Sequence, residues 1–258
     1  MQGLKPASNG VPWTHEAAAL LRLAQRAGHS AGVEYSLKIA PGSIDARRFL
    51  ISIAVRPDFR AALETGLAAL HFPAALEDAL TEGLARMRFL HLGYAEPQGV
   101  PVCKVYCEAA PQPGARVRIH ESFKWRPREN GIFVRDEYWL LRDPGAATMQ
   151  ARLDAIVRVD AVRTGAGALL GRALARAEAL DLFFLEVLRD SVPRACDIRL
   201  YDAGLTLADA ADAARLAALA LAAGQVDGLI REAGQDALGH VSVGADFLTL
   251  YHGARPLL

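Results

Sequence analysis

Residues 32–55, GVEYSLKIAPGSIDARRFLISIAV, form two extended runs around Pro41-Gly42, and along both runs side-chain character alternates with a period of two. Glu34, Ser36 and Lys38 share one face, and Tyr35, Leu37 and Ile39 the other; Arg48 lies with Leu50 and Ser52, opposite Phe49, Ile51 and Ile53. The same split recurs. Lys104, Tyr106 and Glu108 alternate with Cys103, Val105 and Cys107. Arg116, Arg118, His120, Ser122 and Lys124 alternate with Val117, Ile119, Phe123 and Trp125. Further on, Asp197, Arg199 and Tyr201 oppose Ile198 and Leu200, and Thr249 and Tyr251 oppose Leu248 and Leu250. A chain that repeats this division on strand after strand must either expose its polar rows to water or enclose them.

What lies between the strands favours enclosure. THEAAALLRLAQRAG carries Thr14 as an N-cap and stops at Gly28, while PDFRAALETGLAAL and PAALEDALTEGLARM each begin on a proline tolerated at a first helical position. GALLGRALARAEAL is helical, as are TLADAADAARLAALALAAG, with Thr206 as cap and Gly224 as stop, and VDGLIREAGQDAL. Strands pair around Pro97-Gln98-Gly99 and around Asn130-Gly131, which supplies the positive φ angles of a tight hairpin. LDLFFLEVLRD pairs with RACDIRLYDAG, although the first run could equally extend the preceding helix, and HVSVG with DFLTLYHGA closes the chain. Ten strands in five antiparallel pairs are expected to curl into an α+β barrel, a single domain over 1–258, because closure removes unpaired edges. The apolar helices must cover something, so the apolar strand faces point outward and the polar rows inward.

Charge then bounds what the interior holds. Twenty-nine basic residues balance 29 acidic ones, which argues against a general grip on nucleic acid or an anionic membrane. The Ala-rich stretch from Ala208 to Ala223 is interrupted by Asp209, Asp212 and Arg215, so no apolar run approaches bilayer length. No export signal is visible, and the three cysteines, Cys103, Cys107 and Cys196, read as reduced structural thiols; a cytoplasmic location is expected. Arg, Lys, Tyr and Glu enclosed in a barrel need water, each other or a charged ligand. Their excess of cations suggests an anion, and their phenols suit a cationic carbon; together they suggest an allylic diphosphate. Gly-rich nucleotide loops and an Asp-Asp-x-x-Asp metal motif are absent from the sequence. His91, His120, His240 and His252 show no metal spacing and read as polar wall residues.

The run Glu34-Tyr35-Ser36-Leu37-Lys38-Ile39 followed by Arg48-Phe49-Leu50 resembles the first strand pair of the ABBA-type aromatic prenyltransferases, in particular the cyanobactin-type RiPP peptide prenyltransferases. PVCKVYCE is similar to their lysine-bearing second pair, CDIRLYDAG to a later tyrosine-bearing strand, and HVSVG with FLTLYHG to the closing pair. The resemblance implies a ten-stranded antiparallel barrel of repeated α-β-β-α units, ringed by helices and binding an isoprenyl diphosphate inside. It implies a prenyltransferase that moves a dimethylallyl or geranyl group onto a peptide or a small aromatic acceptor. Glu34 matches the acid that takes or orients the acceptor proton, and Arg48 and Lys104 match diphosphate ligands; Tyr106, Lys124, Arg199, Tyr201 and Tyr251 extend that cage by strand parity. Mg²⁺ is a plausible companion of the diphosphate, although no carboxylate cage is dedicated to it. One departure is that the hairpin from Arg116 to Arg142 follows the preceding one without intervening helices.

Three alternatives remain at this level. Glu34 could instead pair with Lys38, a bulge could turn Arg47 rather than Arg48 inward, and the barrel could be a non-catalytic carrier of an anionic metabolite.

Overall fold

The computed structural model describes residues 12–26, 31–54, 59–110, 112–129, 133–178 and 182–257. The expected stop at Gly28, the helix start at Pro57, the Asn130-Gly131 turn and the segment up to residue 11 lie outside the described residues. The strands are β1 (Ala31–Ala40), β2 (Ser43–Asp45), β3 (Arg48–Ala54), β4 (Met87–Ala95), β5 (Val102–Ala109), β6 (Arg116–Trp125), β7 (Phe133–Leu141), β8 (Phe183–Arg189), β9 (Val192–Arg199), β10 (Leu238–Gly244) and β11 (Leu248–Pro256). The helices are α1 (His15–Arg26), α2 (Arg60–Ala68), α3 (Glu77–Arg86), α4 (Ala146–Ile156), α5 (Asp160–Leu174) and α6 (Ala211–Ala233).

All neighbouring strands pair antiparallel. β3 pairs with residues 31–35 of β1 and β2 with residues 38–40, so the two short strands are halves of one stave interrupted at Ala46-Arg47. The eleven strands thus make ten staves, and β11 pairs back onto β1 from Gly32↔Pro256 to Ile39↔Leu248, closing the barrel. β4 to β7 follow one another without an α-helix among the described residues, β6 entering directly after β5.

The apolar rows face outward into two shells. Phe49, Ile51, Leu90, Leu92, Val105 and Phe123 pack under α1, α2 and α3, with Leu20 and Leu63 among the helical partners. Leu37, Phe184, Ile198, Val241 and Leu250 pack under α4, α5 and α6, with Leu153, Leu169 and Ala217 among theirs. Cys103, Cys107 and Cys196 are free and buried in these outer shells, and burial pushes the Cys103 and Cys107 thiols up to about 12. Thr14 caps α1 as expected, accepting from the Ala17 amide at 3.4 Å, and its hydroxyl also meets that of Tyr94 at 2.8 Å.

Four expectations need correction or completion. Helix α4 was not foreseen, although Met149, Leu153 and Ile156 make its buried stripe. Within the LDLFFLEVLRD run, Phe183–Arg189 is a strand, β8. Gly224 does not stop its helix: α6 continues to Ala233 and is instead interrupted at Leu219, where φ is 57°. A mid-helix glycine costs only about 1 kcal/mol, less than burial of an apolar side chain such as Val226 beyond it returns. Lastly, the polar row of β6 is broken by a register slip between Arg118 and His120. His120, Ser122 and Lys124 stay on the inner face opposite Glu108, Tyr106 and Lys104, whereas Arg116 and Arg118 turn outward to Glu186 and Glu137 at 3.0 and 2.7 Å. Among the described residues no helix is long and apolar enough to cross a membrane.

Candidate active site

Four cations gather at one end of the interior. Lys104 and Lys124 face each other across the β5–β6 ladder. Gly93, beside Lys104 on β4, leaves room for its stem, since a Cβ there would stand 3.2 Å from Lys104 Cβ. Arg48 donates from Nε to Ser36 Oγ at 3.2 Å and from Nη1 to Asp45 Oδ2 at 3.1 Å. Lys38 holds its ammonium 4.0 Å from the centre of the Phe247 ring. Lys124 donates to Asp136 at 2.5 Å, and Arg189 donates to the same carboxylate at 2.8 Å. Lys104 alone of the four has no hydrogen bond, ion pair or ring contact among the described residues, and burial, reinforced by the charges of Arg48 and Lys124, pushes its pKa well below the usual lysine range. Burial and Arg48 lower Lys38 in the same way. Burial would lower Lys124 too, but Tyr106 and Asp136 outweigh it and raise that ammonium.

Above the cations lie phenols. Tyr106 and Tyr138 meet edge to face with centroids 5.8 Å apart, and Tyr251 stacks on His240 at 3.7 Å. Burial first, then neighbouring phenols and carboxylates, raises Tyr106 and Tyr138 well above the usual tyrosine range, so both stay neutral. These rings, with Glu34, Asp197 and His240, bound a cavity of about 150 Å³. One wall is apolar: Tyr138 and Leu185 line the cavity, and Leu140, Val187 and Ala195 cluster with them.

Carboxylates occupy the far side. Glu34 Oε2 accepts from the Tyr201 hydroxyl at 3.2 Å, and its Oε1 lies 3.6 Å from His240 Nδ1. Asp197 Oδ2 is 3.9 Å from the other nitrogen of the same ring. Burial raises Glu34, the Tyr201 hydrogen bond restrains the rise, and Asp197 adds to it; the result is about 7. Asp197 is likewise raised to about 7 by burial, against the pull of Arg199 and Lys124. Burial keeps His240 neutral by lowering it well below the ordinary range. A β-bulge on β10 at Gly239 seats Tyr201, for a Cβ there would stand 2.7 Å from the ring.

Beside these carboxylates lies a fourth group. His91 Nε2 is 2.9 Å from Glu108 Oε2, His120 Nε2 is 3.5 Å from the same oxygen, and Arg199 Nη2 reaches Glu108 at 3.3 Å and His120 at 2.8 Å. Burial would raise Glu108, but the His91 hydrogen bond and the neighbouring His120 and Arg199 outweigh it and hold the carboxyl down at about 2.

The residues singled out from the sequence therefore share one interior but divide into groups. Arg48, Lys104 and Lys124 are brought together, Tyr106 and Tyr251 stand over them, and Glu34 and Tyr201 are hydrogen-bonded beyond. Arg199 sits with Glu108 and His120 and not with the lysines. Arg48, not Arg47, is the inward residue: Arg47 pairs with Glu96 at 2.8 Å. Glu34 is partnered by Tyr201, not by Lys38. The inward Tyr138, Asp197 and His240 were missed as site residues. Counting by twos along Asp136, Tyr138 and Leu140, and along His240 and Ser242, would have found two of them; Asp197 had been placed on an inward row without a role. For Mg²⁺, the carboxylates at the cationic end, Asp45 and Asp136, are already engaged by Arg48 and by Lys124 and Arg189, so they do not form a cage for it.

No protein-family model and no curated protein matches this chain by sequence. Solved structures do match it in fold. 5-Dimethylallyltryptophan synthase from Streptomyces coelicolor superposes with a TM-score of 0.59 at 15% identity, over 85% of this chain and 80% of that one. 6-Dimethylallyltryptophan synthase from Micromonospora olivasterospora, in complex with DMASPP and Trp, gives 0.55 at 13% identity over 85% and 81%. PriB in a binary complex with product diphosphate gives 0.55 at 15% identity over 85% and 79%. The closed ten-stave antiparallel barrel ringed by helices is thus a fold this chain shares with structures of that kind.

Proposed function

We propose that this chain is a prenyltransferase that moves an isoprenyl group from its diphosphate to an electron-rich acceptor inside the barrel. The observation that carries this reading is the order of groups along the inward rows, Lys104 then Tyr106 on β5 and Lys38, Ser36 then Glu34 on β1: cations at one end, then the tyrosine rings and the Glu34 carboxyl, raised to about 7, that line the cavity beside them. The fold neighbours support it, being named as dimethylallyltryptophan synthases and, in one case, holding product diphosphate.

In this reading Arg48, Lys104 and Lys124, joined by Lys38, hold the diphosphate through charge-assisted hydrogen bonds. The allylic C–O bond breaks and its electron pair leaves with the diphosphate oxygen. Tyr106, Tyr138 and Tyr251 face the resulting cation with π surface worth roughly 0.5–2 kcal/mol per ring and exclude water from it. The acceptor's π electrons form the new C–C bond, and the proton displaced from that carbon passes to Glu34, which Tyr201 orients. An acid near pKa 7 suits proton acceptance at neutral pH. Mg²⁺ would accompany the diphosphate oxygens as their counter-ion, with no protein cage required.

The acceptor we favour is a small aromatic molecule, as in the named neighbours. A peptide side chain is the second reading, favoured by the Glu34-Tyr35-Ser36-Leu37-Lys38-Ile39 run and its Arg48-Phe49-Leu50 partner. A cytoplasmic setting agrees with three buried free thiols. Incubation with dimethylallyl or geranyl diphosphate, tryptophan and other aromatic acceptors, and a panel of peptides is expected to yield one isoprenyl adduct and one diphosphate per turnover. Binding of the donor with no diphosphate release under any acceptor would replace this reading by the carrier.

A further inference from the structure

His91, Glu108 and His120 stand on three adjacent staves, β4, β5 and β6, and each points one donor atom at a common spot, all within 4.8 Å of one another. Bonds of about 2.0–2.2 Å at tetrahedral or octahedral angles would place donors about 3.0–3.5 Å apart. The two separations from Glu108 Oε2, 2.9 Å to His91 Nε2 and 3.5 Å to His120 Nε2, fall in or beside that range. Two imidazoles and one carboxylate are a set that suits Zn²⁺, Co²⁺ or Fe²⁺ and not Mg²⁺.

The surrounding contacts point the same way. Ser52 Oγ meets His91 Nδ1 at 2.8 Å, fixing the ring with Nε2 toward Glu108. Arg199 donates to His120 Nε2 at 2.8 Å, and a guanidinium only donates, so that nitrogen presents a lone pair and the ring proton sits on Nδ1. Nδ1 is buried without a partner. The ring is therefore held in an orientation that its remaining nitrogen does not favour, with its lone pair and the Glu108 carboxylate converging on a cation, which is Arg199 itself.

We propose that His91, Glu108 and His120 form a binding site for a borderline-soft divalent metal ion in the wall of the chamber, with the Arg199 guanidinium displaced when the ion binds. The site stands apart from the cationic end and does not depend on the prenyl-transfer reading. One coordination position would remain open toward the cavity that all three residues line.

The test is titration of chelator-stripped full-length protein with Co²⁺ and with Zn²⁺. One equivalent of Co²⁺ is expected to bind and to develop visible d–d bands. His91→Ala and His120→Ala are each expected to weaken binding at least tenfold, and Arg199→Ala to tighten it, because its guanidinium no longer competes. Circular dichroism confirms that each variant is folded. Should an alanine variant fail to fold, Glu108→Gln and the Arg199→Ala result carry the test. Absence of stoichiometric binding by the wild-type chain overturns the proposal. So does binding that survives unchanged in folded His91→Ala or Glu108→Gln, since the ion would then sit on surface histidines, and so does weaker binding in Arg199→Ala.

Discussion

Glu34 combines the two properties asked of a base: burial that lifts it from 4.5 to about 7, and a Tyr201 hydroxyl that holds one oxygen. Glu34→Gln is expected to lower turnover about 10²–10⁴-fold and to remove a rising limb of the pH–rate profile centred near 7; steady-state rates from pH 5.5 to 9 check both. The same acid affects stability. Its folded pKa exceeds its unfolded value, so the folded chain holds a proton that the unfolded chain releases, and stability falls as pH rises from about 4.5 through about 7. For a shift of this size the loss is about 3 kcal/mol, and denaturant melts of Glu34→Gln should show that part of the slope missing. Lys104, buried and unpaired, sets stability against binding. Lys104→Met is expected to stabilise the free protein by roughly 1–3 kcal/mol while weakening diphosphate binding about 10–100-fold. At this scale parity in the sequence put Glu34, Arg48 and Lys104 on polar inward faces, because a period of two is the one property of a strand that survives without coordinates, while their roles came only from the resemblance. It could not show that Arg199 joins Glu108 and His120, since that meeting is made across the barrel interior, between β9 and the non-neighbouring β5 and β6.

Strands announced themselves more clearly than their irregularities. The β6 slip between Arg118 and His120 turns two arginines outward, and the run ARVRIHESFKW carries no glycine or proline to mark it. The bulge on β10 does carry a glycine, Gly239, but it lies just ahead of the HVSVG run, and it decides where Tyr201 sits. Gly239→Ala is expected to displace the Tyr201 ring and reduce turnover by about tenfold or more with little change in donor affinity, because the hydrogen bond to Glu34 is lost and the cationic end is untouched; paired kinetics and binding measurements separate the two. Among helices, α5 and α6 approach closely at Gly165, where a Cβ would meet the Ala213 carbonyl oxygen at 2.8 Å. Gly165→Ala is expected to destabilise by about 1–3 kcal/mol through overpacking, read as a shift in denaturation midpoint at constant slope. Helix α4 went unseen because its apolar stripe of Met149, Leu153 and Ile156 is interleaved with alanines that blur the period.

At the scale of the molecule, an inside-out distribution governs everything else: most aliphatic side chains form shells between staves and helices, and ionisable ones fill the middle apart from one apolar wall of Val117, Ile119, Leu140, Leu185 and Val187. This much was legible, since apolar helices alternating with two-faced strand pairs leave the polar rows only the interior. Closure through β1 and β11 could be expected but its register could not, because pairing of the first and last staves rests on no local turn. The central claim is that the buried cations exist to hold a diphosphate. Calorimetric titration of the wild-type chain and of Lys104→Met with an unreactive dimethylallyl thiolodiphosphate tests it most directly. The account predicts one-to-one binding by the wild type and a loss of about 10–100-fold in the variant; no binding by the wild type, or equal binding by both, would contradict it.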